Sequence, residues 1–148
     1  MNVLSAVISG ILGTFAISMV MAVAPMMGMP KMNIVDMLST MFGKSNLVLG
    51  WMMHLMMGAV FALIYAFLWS IGIGSAGWLS GLIFGAAHWL VVGLIMGVIP
   101  IMHAGINNGD VEAPGLWMTN QGGTLSFIGG LMGHMVFGLV VALVYAII

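Results

Sequence analysis

Four stretches of this chain, Val3–Ala24, Leu47–Trp69, Gly77–Ile99 and Leu125–Ile148, hold no Asp, Glu, Lys or Arg and are almost wholly apolar. Each reaches the ~20 residues that a helix needs to cross a hydrocarbon core of roughly 30 Å. Inside lipid the backbone N–H and C=O groups must pair within the segment or in a closed barrel. The strict alternation of a barrel strand is absent, so the four stretches read as transmembrane helices. The rest of the composition agrees: 63% of residues are hydrophobic, 3% are charged, and the mean hydropathy is +1.26. An ordinary soluble domain has about a quarter of its residues charged. The expected location is therefore a lipid bilayer, with 1–148 as a single domain.

Several function classes fall away on composition. There is no cysteine, which excludes thiolate ligands, iron–sulfur clusters and disulfides. Lys31 and Lys44 are the only cations besides histidine, so there is no basic face for nucleic acid. The two lysines put the long loops on the cytoplasmic side by positive-inside counting, but two charges leave the orientation open. The first span lacks a basic leader and reads as a retained helix rather than a signal peptide. Asp36, Asp110 and Glu112 are the only carboxylates and all fall between spans, so acid–base hydrolysis within the membrane has no residues to carry it.

The most informative pattern is a ridge of small residues around a histidine, present twice: Gly50, His54, Gly58, Ala62, Ala66, and Gly130, His134, Gly138, Ala142, Ala146. Residues four apart stack on one helix face. Small ridges are where membrane helices approach each other, and an ionisable side chain there is a functional candidate by default. A shift of 80 residues superposes the two ridges, with Tyr65 on Tyr145, and a shift of 75 pairs Pro25 with Pro100 and Met21 with Met96. The chain thus reads as two parallel two-helix repeats, 1–70 and 77–148, related by an axis along the membrane normal. Between the first two spans, Ile34, Met37, Leu38 and Met41 recur at helical spacing within Met32–Phe42. That predicts a short amphipathic interfacial helix capped by Asn33. His103–Thr124 reads as a polar loop.

His54, His88 and His134 fall at similar depths on three spans, and His103 follows Pro100 at the long-loop surface. Three chemistries compete. Imidazoles suit transition metals, and Met53 and Met57 beside His54 add soft thioethers that would select copper; the candidate metal set is His54, His88, His134, His103, Met53 and Met57. A b-type haem would take His54 and His134 as its cofactor-binding pair, although small ridges favour helices too close for a porphyrin. A proton or ion path is the third. Against all three stands a purely structural role, in which the imidazoles stitch helices together. Methionine is also an apolar gap-filler. Tyr65, Tyr145, Trp51, Trp69, Trp78 and Trp117 read as interfacial anchors. The Gly81-Gly85-Gly93-Gly97 and Gly10-Gly13 ridges predict contacts beyond one chain, either in a homo-oligomer or in a larger membrane complex.

The motifs Leu49-Gly50-Trp51-x-x-His54-x-x-x-Gly58, His88-Trp89, Pro100-x-x-His103 and Gly133-His134 with Tyr145 resemble a family of small four-span bacterial membrane proteins of unknown function. The resemblance covers nearly the whole chain. It implies the fold, the topology and a bacterial inner membrane, and it supplies no activity. Methionine is commoner here than in that pattern, where leucine prevails, and this favours its apolar role. The function expected is a small subunit or cofactor-holding module of a membrane redox complex, with a small transporter, channel or proton path and an accessory structural subunit as alternatives.

Overall fold

The computed structural model describes all residues from Met1 to Ile148. The protein is all-α: α1 (Val3–Val23), α2 (Ile34–Ser39), α3 (Leu47–Ser70), α4 (Trp78–Met96), α5 (Ala104–Asn107) and α6 (Thr119–Ile147), with short 3-10 turns between them. Four helices, carrying the four expected spans, are long and apolar enough to cross a membrane. Asn caps start three helices: Asn2, Asn33 and Asn46 accept from the N–H groups of Ser5, Asp36 and Leu49. Each satisfies one of the unpaired donors of a first turn. Large apolar side chains such as Leu4, Met19, Val48, Met52 and Met132 face outward, as they must where lipid is the solvent.

The helices pack as α1 with α3, α4 with α6, and α1 with α6. Glycine sets the first two contacts. A Cβ on Gly10 would stand 2.5 Å from the Gly58 carbonyl oxygen, and one on Gly81 would stand 2.5 Å from the Gly138 carbonyl oxygen. Gly85 lies against the His134 carbonyl so closely that no Cβ fits. Lipid tails are as apolar as leucine, so such backbone approach and its dispersion contacts replace the hydrophobic drive. The packing also revises one alignment. Gly10 on Gly58 matches Gly81 on Gly138, an offset of 71 residues between α1 and α4, rather than the 75 of the sequence match. The difference is about one helical turn.

Other expectations are corrected here. Gly10, Gly13, Gly81, Gly85 and Gly93 are buried by packing inside the one chain, and of the two ridges only Gly97 stays exposed. The amphipathic segment is shorter than Met32–Phe42, and Ile34, Met37 and Leu38 turn into the bundle against α3 and the core rather than toward lipid. The 103–124 stretch is not simply a loop. Trp117 and Met118 adopt left-handed backbone with φ of 49° and 57°, a conformation that costs of order 1–3 kcal/mol per residue. The Trp117 indole lies directly on Gly93, Leu116 lies on Gly97, and Met118 is buried. This plug closes the long-loop end of α4 and α6, and Gly123, with φ of 57°, turns the chain into the last span.

Because Gly85 meets backbone rather than a flexible side chain, Gly85→Leu must push α4 and α6 apart. We expect a loss of at least about 1–3 kcal/mol in a reversible unfolding assay in bilayers. Met52→Leu, on the lipid face, should stay within about 0.5 kcal/mol.

Candidate functional site

The Gly/Ala ridges face α1 and α4, and this decides where the imidazoles go. His54 sits one turn from Gly58 and His134 one turn from Gly138, so both side chains enter the middle of the bundle. With His88 from α4 they line one chamber of about 60 Å³, bordered by all four spans. His54 and His88 are buried and His134 is partly buried. The His88 and His134 rings stand 4.8 Å apart, edge to face. Trp89 lies against His134, also at 4.8 Å, and Phe61 stacks on His88 at 3.6 Å.

The hydrogen bonds fix which nitrogens are occupied. His134 Nδ1 lies 2.8 Å from the Gly130 carbonyl oxygen. A carbonyl only accepts, so Nδ1 carries the proton and Nε2 keeps its lone pair. Ser18 Oγ donates to the Thr14 carbonyl at 2.7 Å, so its single proton is committed. His54 Nε2, 3.2 Å from Ser18 Oγ, must then be the donor, and its Nδ1 keeps the lone pair. Neither lone pair has a partner within the protein. His88 Nδ1 lies 3.2 Å from the Tyr65 hydroxyl, where either group can donate. A ring held through one nitrogen by a carbonyl or hydroxyl, with the other nitrogen free, is the usual setting of a ligating histidine.

His103 differs. Its Nε2 donates to the Met37 carbonyl at 2.8 Å, and its Nδ1 accepts from the Ile106 N–H at 3.1 Å. Fully buried, it caps α5 and ties it to the end of α2, away from the chamber, with neither nitrogen left over. The methionines also sort themselves. Met53 and Met57 both pack against the apolar cluster around α2 and α4, but only Met57 lines the chamber. Met52 and Met56 face outward. Met21, Met32, Met96 and Met118, distant in sequence, line the chamber instead. Only Met21 and Met96 carried a signal, as a pair matched between the repeats.

The aromatic anchors divide as well. Trp51 and Trp78 face outward, but Tyr65 is only 3% exposed and holds His88, and Trp117 is the plug. Trp89 Nε1 and Ser126 Oγ are buried without a partner in the protein. Such donors cost about 1–3 kcal/mol when left unpaired, and Trp89 lines the chamber. No three His, Asp or Glu side chains gather as a metal-binding group. The chamber gives room for a few atoms or waters, at roughly 10–15 Å³ per water. Rings already pack His134 on two sides, so a porphyrin has no space between His54 and His134.

Solid-state NMR of ¹⁵N-histidine-labelled protein in bilayers should show an Nδ1–H tautomer for His134 and Nε2–H tautomers for His54 and His103. An Nε2–H tautomer at His134 would contradict this bonding scheme.

No curated protein and no solved structure matches the chain. One family matches it over residues 1–148. The chain belongs to that family, a family of unknown function (DUF6789).

Proposed function

We propose that the protein is a small membrane subunit that holds an ion-sized cofactor in the chamber between its four spans. The observation that supports this most is that His54, His88 and His134, from three helices, line one cavity, with the His88 and His134 rings 4.8 Å apart. His54 and His134, both lining it, each keep one ring nitrogen without a partner in the protein. A stitching role alone would use those nitrogens for helix–helix hydrogen bonds, each worth about 0.6 kcal/mol on average in a membrane. Of the three chamber histidines, His54 and His88 each make one such bond, to Ser18 and Tyr65, and His134 makes none. These residues carry no catalytic motif, so the reaction served belongs to a partner in a larger membrane complex, of the redox kind, in a bacterial inner membrane.

A proton path is the second reading. Ser18 favours it, because it bonds His54 and also lines a pocket on the long-loop side with Lys31 and Asp36. Substitution separates these readings. Gln keeps a hydrogen-bonding amide but is a poor metal ligand. If the imidazoles share a cofactor, His134→Gln should remove most binding and His54→Gln should add little to it. Groups that act as a unit behave in this non-additive way. Full cofactor retention in the double variant, or proton flux through protein that binds no ion, would sink the proposal.

A further inference from the structure

The chamber's donors narrow the cofactor, and this step rests on the chamber reading above. Imidazoles alone do not complete a metal site, since no three histidines or carboxylates gather. The further donors that line the chamber are thioethers, from Met21, Met32, Met57, Met96 and Met118. Imidazole with thioether is a soft set that favours Cu(I) over Zn(II), Ni(II) or Mg(II). Charge points the same way. Every protein donor at the chamber is neutral, because the three carboxylates lie in the loops. The cost of burying an ion rises with the square of its charge. A neutral, buried lining therefore penalises a monovalent ion less than a divalent one.

Access has a structural trace. A pocket of about 490 Å³ opens on the long-loop side between α1, α2 and α3, with Lys31, Asn33 and Asp36 at its polar end. Met21, Met32 and Ile34 line both this pocket and the inner chamber. The two spaces are therefore adjacent, and two of the three residues they share carry thioethers. We infer that the chamber binds one Cu(I) through imidazole and thioether donors, and that Met21 and Met32 pass the ion inward from the long-loop side.

The test uses purified protein in nanodiscs under ascorbate, with a coloured Cu(I) chelator as competitor. Wild type should retain one Cu(I) per chain and exclude Zn(II). His134→Gln, which removes a ligand, should weaken retention by at least the roughly 10–100-fold that follows loss of a group supporting a ligand. Met21→Leu with Met32→Leu should slow loading by about tenfold. Leu and Met are close in volume, so folding should survive. Met52→Leu with Met56→Leu, on the lipid face, is the control and should change nothing. Zn(II) retained in preference to Cu(I) would overturn the copper assignment and leave the chamber reading standing. Retention of neither metal would overturn both. Cu(I) that the lipid-face pair reduces as much as the inner pair would show surface methionine binding and overturn the chamber assignment.

Discussion

Backbone-to-backbone contact at glycine governs this molecule. In lipid there is little gain from hiding apolar surface, so helices hold together where they approach most closely. Gly10 on Gly58 joins α1 to α3, and Gly81 and Gly85 on Gly138 and His134 join α4 to α6. The same contacts fix the rotation of each helix about its own axis. His54 and His134 lie on those ridges, so the rotation that seats the glycines also turns both imidazoles into the bundle. The chamber is a consequence of how the ridges pack.

What lies around the chamber is set by larger groups. The spans joined by the short turn, α3 and α4, do not pack backbone to backbone. Phe61, Tyr65, Phe84 and His88 fill the space between them with stacked and edge-on rings. On the opposite flank Gly13 lets Phe137 and Val141 come against α1. One side of the bundle is tight and the other is propped open. The long-loop end is then closed twice, by α2 from one half and by the Leu116–Met118 plug from the other. His103 ties α5 to α2 through two hydrogen bonds, which makes it part of that closure.

Much of this was legible in the chain. Run lengths without charge give the four spans, and spacing by four gives the ridges and the inward imidazoles. The short helix and its Asn33 cap also follow from pattern. The rest depends on tertiary contact that periodicity does not encode. Tyr65 looks like an anchor because it sits near a span end, but the widened α3–α4 side draws it inward to His88. Trp117 reads as interfacial for the same reason, yet Gly93 leaves room for its indole, which a left-handed turn brings back onto α4. The chamber methionines come from five separate places. The local Met-rich run around His54 drew attention to Met53, which packs elsewhere, and the repeat match pointed to Met21 and Met96 without giving them a role. Matching residues aligned α1 with α4 at a shift of 75, whereas the glycine contacts pair them one turn away, since glycine contact decides register and identity does not.

The proposed ion-holding role rests on the chamber and its imidazole and thioether lining. The account stands or falls on whether the imidazoles share one space. Carbon and nitrogen dipolar correlation in bilayer-embedded, histidine-labelled protein measures this directly. The rings of His88 and His134, 4.8 Å apart, should give a cross-peak between them that disappears in His134→Gln, while His103 shows no correlation to either. Absence of the His88–His134 cross-peak in well-ordered protein would contradict the account.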